Sequence, residues 1–251
     1  MRFSYAAIAL LTGVAGAQAS IVTLDFETED DFLTPLVNGQ EISDPNLPNG
    51  EFGNLVTISS STDPVAIFDS TDPGPNSTGP DPDLLVNTGN LLILQSSNSL
   101  SKTGDVFDTP NDEAGGGSLL FDFSVHPDGF VELLDVLVAD INGGGNFTLT
   151  LTDVNGNTRF FTVTDNFSFD IANSGPNGYE ILDLTTTAVQ VGEGGGNASA
   201  VDDPGYDPLR VVTMEFDFAG SAGVDDLRFI PSPGAVTLLG LGGLAAIRRR
   251  R

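Results

Sequence analysis

Residues 146–152 read Asn-Phe-Thr-Leu-Thr-Leu-Thr, an alternation of apolar and polar side chains with a period of two residues. Successive side chains of a β-strand point to opposite faces, so this stretch predicts a strand with one buried and one exposed face. The next five residues, 153–157, read Asp-Val-Asn-Gly-Asn and contain the Asn-Gly pair that suits a tight hairpin turn. They do not match an EF-hand calcium loop, because Gly156 stands at the fourth position of the loop instead of the sixth.

The same period of two recurs in three other segments, at residues 21–27, 117–124 and 210–218. Each of them predicts a strand that is buried on one face. Residues 130–141 form a more continuously apolar run, which favours a central strand that is buried on both faces. A helix is the alternative for this run, since periodicity alone does not separate the two.

Glycine and proline supply 30 and 15 of the 251 residues and concentrate between these apolar runs. Long surface loops are predicted where Gly, Pro, Asp, Asn and Ser cluster, at residues 43–53, 70–89, 111–117 and 192–208. We therefore predict an all-β fold, most simply an antiparallel β-sandwich of the jelly-roll kind with long acidic loops. An N-terminal signal helix and a C-terminal short hydrophobic helix are expected to flank it.

Several short segments follow one another along the chain in an order that is typical of one class of domain. Among them are Leu-Asp-Phe-Glu at 24–27, Ala-Ile-Phe-Asp-Ser at 66–70 and Val-Asp-Asp-Leu-Arg-Phe at 224–229. The series resembles the galactose-binding-like and carbohydrate-binding jelly-roll domains of bacterial surface proteins. That resemblance implies a sandwich that spans nearly the whole chain between the two terminal segments.

The first nineteen residues have the order of a secretory signal peptide. Arg2 supplies a positive charge, residues 5–14 are apolar, and Ala17 and Ala19 supply the small side chains that signal peptidase accepts. We expect a cut that leaves Ser20 as the new N-terminus. The alternative is an uncleaved membrane anchor, although the apolar run is shorter than the ~20 residues that span a bilayer.

The last twenty-one residues, 231–251, contain a Pro-x-Pro site at Pro231 and Pro233 and a short Leu/Gly/Ala-rich run at 235–247. Four terminal arginines follow: Arg248, Arg249, Arg250 and Arg251. The arrangement resembles the PEP-CTERM sorting signal, which implies recognition and removal by an exosortase-type enzyme. The family usually has Glu between the prolines, where this chain has Ser232. The alternative is an ordinary tail anchor.

These end segments predict the organisation of the chain and its location. Residues 1–19 are the signal peptide, residues 20–230 the sandwich ectodomain and residues 231–251 the sorting signal. The positive-inside preference keeps the terminal arginines in the cytoplasm and places the large domain outside. We expect an exported protein that is transiently anchored in the inner membrane by its C-terminal helix and then reaches the cell surface or extracellular matrix.

The charge of the ectodomain is strongly negative. All 35 acidic residues lie in it, whereas five of the nine basic residues lie in the end segments, so its net charge is 4 − 35 = −31. Nucleic acid and anionic lipid surfaces are therefore poor partners, and we expect no nucleic-acid partner. The chain has no cysteine, so its stability depends on core burial, sheet hydrogen bonds and bound metal rather than on disulfides.

Calcium is the cofactor that suits these acids, because it takes six to eight oxygen ligands in flexible geometry. In the modules that the chain resembles, a structural calcium joins the end of the first strand to the start of the last, and Glu27 and Asp225 match these positions. Asp225 shares a strand face with Leu227 and Phe229 and should point inward, where an unpaired carboxylate is costly. A second candidate set is Asp69, Asp81 and Asp83; the alternative for all five is a solvated turn residue.

The sequence predicts no enzyme: there is no cysteine nucleophile, and His126, the single histidine, is expected in a solvated loop. The leading function is a structural or adhesive role outside the cell, with signal peptidase and an exosortase-type enzyme as processing partners. A carbohydrate-binding module for extracellular polysaccharide is the alternative, with the Tyr206 loop as a candidate for sugar stacking. A polysaccharide-active enzyme that uses a carboxylate pair is the third reading.

Overall fold

The structure, a computed structural model, describes residues 20–29, 33–42, 52–141, 146–168 and 178–231. These residues form strands and two short 3-10 turns, at Pro82–Leu84 and Phe123–Val125, and no α-helix occurs among them. In chain order the strands are β1 (Val22–Leu24), β2 (Glu41–Ile42), β3 (Thr57–Ser59), β4 (Val65–Asp69), β5 (Asn90–Leu94), β6 (Lys102–Thr103), β7 (Val106–Phe107), β8 (Gly117–Asp122), β9 (Val131–Ala139), β10 (Phe147–Asp153), β11 (Thr158–Val163), β12 (Tyr179–Asp183), β13 (Gln190–Val191), β14 (Asn197–Asp202), β15 (Val211–Phe218) and β16 (Gly223–Pro231).

The strands pair antiparallel throughout the described part of the chain. They follow the order β13-β14-β11-β10-β15-β9-β16-β5-β4-β2, with β1 on β16, β12 on β9, β8 on β15 and β3 on β8. The only register pair between β15 and β9 is Val211 with Val131. This narrow junction divides the strands into two groups whose inner faces share one core, in keeping with the predicted all-β sandwich.

The main core is rich in phenylalanine because the alternating strands turn their aromatic residues inward. Phe216 packs at ring-centroid distances of 5.2 Å from Phe218, 5.6 Å from Phe147 and 6.1 Å from Phe121. A smaller cluster, which includes Phe68, covers the opposite face of β4, β5 and β9. β9 is therefore buried on both faces, which explains why its sequence lacks a clean alternation.

The predicted strands at 146–152 and 210–218 are confirmed as β10 and β15, and the predicted central strand at 130–141 is confirmed as β9. The helical alternative for that run is wrong. The Asn-Gly turn is confirmed between β10 and β11, where Gly156 has a φ of +82°.

Three predicted boundaries need correction. β1 ends at Leu24 rather than at Glu27, because Phe26 adopts a φ of +53° and ends the extended backbone. The strand predicted at 117–124 passes into a 3-10 turn after Asp122. The loop predicted at 192–208 contains β14, whose buried side chains are the small Ala198 and Ala200.

The predicted signal peptide, including Ala17 and Ala19, and the predicted C-terminal helix with Pro233 and Arg248–Arg251 lie outside the described residues. Within the described part, no helix has the length and hydrophobicity needed to cross a bilayer. Pro231 is described: it is the last residue of β16 and pairs with Val131. The first proline of the Pro-x-Pro site thus belongs to the folded sheet.

Candidate functional site

Four acidic residues lie near the place where the first strand meets the last, and we call Asp25, Glu27, Asp225 and Asp226 the rim cluster. β1 pairs with the second half of β16, so that Leu24 lies opposite Leu227. The register of β16 against β9 shifts between Asp225 and Arg228. Asp226, which has a φ of +45°, lies at this irregularity, and it is exposed whereas Asp225 is buried.

Asp225 is the buried member of the rim cluster, with 1% of its surface exposed. Burial, and then repulsion from Asp226, Glu27 and Asp25, raises its pKa to about 8. A hydrogen bond of 2.7 Å from the Asp226 amide to Asp225 Oδ1 acts in the opposite direction and lowers the pKa. The pKa of Asp226 is raised too, chiefly by burial. At neutral pH the protonated form of Asp225 is therefore favoured over the ionised form.

Glu27 is held in the rim cluster by β5. Its Oε1 accepts a hydrogen bond of 2.8 Å from the Asn90 amide, while the Asn90 side chain donates one of 3.0 Å to the carbonyl of Phe26. The carboxylate lies so close to Gly89, which has a φ of +103°, that a Cβ there would be 2.1 Å from Oε1. A glycine is thus required for Glu27 to occupy this position.

Asp225 lies on β16 and Glu27 lies three residues after the end of β1, and their role as calcium ligands stays a prediction. β1 and β16 are neighbours, Asp225 points inward beside the buried Leu227 and Phe229, and Glu27 is near enough to raise the pKa of Asp225.

The predicted second set behaves differently. Asp69 lies opposite Asn90 at one end of the β4–β5 pair, whereas Asp81 accepts a hydrogen bond of 2.7 Å from the Asp112 amide.

Asp112 forms an isolated bridge with Gln95, which follows the other end of β5. The structure therefore separates Asp69 from Asp81. Asp69 Oδ1 accepts from the Thr71 amide at 2.9 Å, which is the turn hydrogen bond of the alternative interpretation. Asp83 lies in the 3-10 turn beside Asp81, and the pKa of Asp81 is raised chiefly by burial and to a smaller extent by repulsion from Asp83. Among the described residues, no three His, Cys, Asp or Glu side chains form a group that could hold a metal ion.

A second acidic group, which we call the Ser221 cluster, was not predicted and consists of Asp81, Asp112, Asp140 and Ser221. The Ser221 hydroxyl lies within hydrogen-bond distance of two carboxylates, Asp112 Oδ2 and, at 2.5 Å, Asp140 Oδ2. Asp112 Oδ2 also accepts from the Ala222 amide at 2.9 Å. Asp112 and Asp140 are 3% and 2% exposed.

Burial raises the pKa of Asp112 to about 8, and the charge of Asp81 adds to the effect. A serine hydroxyl has one hydrogen to donate, yet two carboxyl oxygens contact it here. One of the two carboxyl groups therefore carries a proton in this geometry, because two ionised carboxylates would repel across a hydroxyl that serves only one of them.

Two further expectations change. His126 lies in a turn, as predicted, but it is 6% exposed rather than solvated, and burial lowers its pKa.

The Tyr206 ring lies under the Arg159 guanidinium at 5.0 Å, and its hydroxyl oxygen is buried without a hydrogen-bond partner. It does not present a free ring to a sugar, whereas Tyr179 on β12 is 49% exposed.

The chain matches no protein-family model, no curated protein and no solved structure.

Proposed function

We propose that this chain is an exported, non-catalytic component of the bacterial cell surface or extracellular matrix with a structural or adhesive role, stabilised by calcium at the rim cluster. The observation that carries the proposal is the buried Asp225 carboxylate, whose charged neighbours Asp226, Glu27 and Asp25 are all acidic. The antiparallel all-β architecture supports a jelly roll as its topology.

The rim cluster offers two carboxylates of the kind that bind calcium. Ca²⁺ is bound by oxygen ligands, and Glu27 and Asp225 would supply carboxylates, with backbone carbonyls and water to complete the six to eight positions. The ion would replace the proton on Asp225 and neutralise the surrounding charge. It would also join β1 to β16, and so bind the two ends of the folded domain. We do not extend this proposal to Asp69, Asp81 and Asp83, because they do not converge on one point.

Thermal unfolding of the purified full-length protein in chelator and then in millimolar calcium, at fixed ionic strength, tests the cofactor. A ligand that binds only the folded state adds about 2.7 kcal/mol at a hundredfold excess over Kd, so we expect the midpoint to rise by several degrees. Asp225→Asn and Glu27→Gln should abolish the rise. Asp112→Asn is the matched control, since Asp112 is equally buried and has the same raised pKa, and it should keep the rise. An unchanged midpoint in the unsubstituted protein would show that calcium does not stabilise the fold.

Intact-mass measurement of the protein recovered from the surface and medium of a producing bacterium tests the proposed export. We expect a mature N-terminus at Ser20 and loss of the segment that follows the Pro-x-Pro site. Ala19→Tyr should block the first cut, because the peptidase pocket accepts small residues. The pair Pro231→Ala and Pro233→Ala should leave the tail in place. Recovery of the uncut chain in the cytoplasm would contradict the proposal.

A further inference from the structure

β12 lies at the border of its sheet and has one free edge. Within the described part of the chain it pairs with β9 alone. The Leu184 amide donates to the Leu134 carbonyl, so the main-chain groups of the even-numbered residues face β9. In an antiparallel pair, residues that bond to the neighbouring strand alternate with residues that do not. The main-chain amides and carbonyls that point to the free edge therefore belong to Tyr179, Ile181 and Asp183.

Two side chains occupy this free edge in place of a neighbouring strand, and we call Gln190 and Glu180 the edge caps. Gln190 Oε1 accepts from the Asp183 amide at 2.9 Å, and Gln190 Nε2 donates to the Asp183 carbonyl at 2.8 Å. These are the two hydrogen bonds that a residue of an added antiparallel strand would make. The Glu180 carboxylate accepts from the Ile181 amide at 3.3 Å and from the Glu193 amide at 3.2 Å.

Apolar side chains next to this edge are exposed. Tyr179 and Ile181 alternate along β12 and are 49% and 56% exposed. Val189 and Val191, on either side of Gln190, are 64% and 68% exposed. An exposed apolar edge strand is a template for another strand, and folded proteins usually cover such an edge or place charges on it. Here side chains that change rotamer rapidly cover the main chain, while the apolar side chains stay open to contact.

We propose that β12 is a self-association edge, to which the β12 of a second copy of this chain adds antiparallel when the edge caps leave the main chain. A pairing centred on Ile181 places Ile181 opposite its own copy, Tyr179 opposite Asp183 and Glu180 opposite Leu182. Each residue with free main-chain groups then exchanges hydrogen bonds with its partner.

The side chains of this pairing are also complementary. Each charged residue of β12 lies opposite an uncharged one, and the Tyr179 hydroxyl can donate to the Asp183 carboxylate of the other copy. Because the same patch meets itself, the contact closes as a two-fold dimer, and the sheet continues through both copies.

The size and charge of the edge make this dimer weak and reversible. A pair of five-residue strands, even with Val189 and Val191 beside it, falls well short of the ~1,200 Å² that stable interfaces bury. The ectodomain is strongly acidic, so two copies repel each other unless salt screens their charge. We therefore expect association at high protein concentration and high ionic strength.

Sedimentation velocity of the purified full-length protein in high salt, from low to high micromolar concentration, tests the proposal. We expect a monomer–dimer equilibrium that depends on concentration. Gln190→Ala should strengthen the dimer by about tenfold, because the hydrogen bonds of this cap no longer compete with the second copy. Ile181→Lys should abolish the dimer, also in combination with Gln190→Ala, because it places like charges opposite each other at the centre of the pairing. Ile181 is mostly exposed, so the thermal midpoint of this variant should change little.

Val201→Lys is the matched control, because it makes a similar change at an exposed apolar residue of β14 and should leave association unchanged. The proposal is overturned if Gln190→Ala stays monomeric at the highest concentration, if Ile181→Lys dimerises normally, or if Val201→Lys abolishes the dimer. It is also overturned if the protein stays monomeric but binds an added peptide of alternating valine and threonine, because the edge would then accept another chain. The proposal goes beyond the structural role given above. Association is measured in calcium and again in chelator, so its failure is separable from failure of the calcium site.

Discussion

The rim cluster and the Ser221 cluster each bury an aspartate whose pKa is raised to about 8, but the protein surrounds the two carboxylates differently. Asp112 has a serine hydroxyl and the Ala222 amide as donors, and its own amide is bound by Asp81. The one hydrogen bond described for the Asp225 carboxylate comes from the adjacent Asp226 amide. The first carboxylate has donors from two other residues of the fold, whereas the second has a single donor from the adjacent backbone amide.

The difference shows why burial of an acid is not by itself a sign of a metal site. A raised pKa reports only that the ionised form is disfavoured. Whether a proton or a metal ion offsets the cost of burying the charge depends on the hydrogen-bond donors that surround the carboxylate. The rim cluster supplies mainly oxygen acceptors, and the Ser221 cluster supplies donors as well. Substitutions of Ser221 and Asp112 break the Ser221 cluster and leave the rim cluster intact.

The largest effect is expected from Ser221→Ala. Loss of the hydroxyl removes the group that lies between Asp112 and Asp140, and leaves two nearly buried carboxyl groups without their common partner. Removal of one partner of a hydrogen-bonded buried group costs about 1–3 kcal/mol, and more when the group is charged. We expect a loss of about 2–3 kcal/mol in urea unfolding, or a fall of several degrees in the thermal midpoint.

Ser221→Thr keeps the hydroxyl and should retain most of the stability. Ser61→Ala is the surface control, because Ser61 contacts Ser118 through an exposed pair of hydroxyls at 2.8 Å and should lose little. The calcium-dependent rise should persist in Ser221→Ala if the two clusters are independent. A Ser221→Ala protein as stable as the unsubstituted protein would show that the two aspartates do not depend on the hydroxyl.

These clusters also show how far sequence reasoning reaches. Asp225 was found because Leu227 and Phe229 share its face, so a period of two was enough to turn the carboxylate inward. The pairing of the first and last strands followed from the resemblance to jelly-roll domains. Strands such as β10 were evident for the same reason, since large apolar residues alternate with threonine.

The features that sequence did not reveal depend on distant residues or on weak signals. Ser221 is 109 residues from Asp112 and 81 residues from Asp140, and no local pattern joins them. The sequence predicts a loop at β14, because its inward residues, Ala198 and Ala200, bury too little apolar surface to stand out among glycines and aspartates. The exposed position of Phe160 was equally hidden, because its neighbours Arg159 and Phe161 point inward and an Arg-Phe-Phe run has no clear alternation.

A smaller effect is expected in the pH dependence of stability, which sharpens the comparison. Asp112 has a folded-state pKa of about 8, above its ordinary value of 3.8, so the folded protein holds a proton that the unfolded chain has released. Stability from such a group is complete below the unfolded pKa and is lost as pH rises through the folded pKa. Between pH 7 and 8.5, in chelator, the free energy of unfolding should therefore fall as pH rises. The slope is at most about 1.4 kcal/mol per pH unit for each proton.

Asp112→Asn should make this slope shallower by about one proton, because the amide cannot ionise, while Asp225 continues to titrate in the chelated protein. The window begins at pH 7 because the pKa of the buried His126 is lowered, so its contribution is lost as pH falls and has the opposite sign. Calcium should flatten the remaining slope by holding Asp225 ionised, and the variant in calcium should be nearly independent of pH in this range. A free energy of unfolding that rises between pH 7 and 8.5 in chelator would contradict the protonation assigned to Asp112 and Asp225. A slope that Asp112→Asn leaves unchanged would show that the shared proton resides on Asp140 instead.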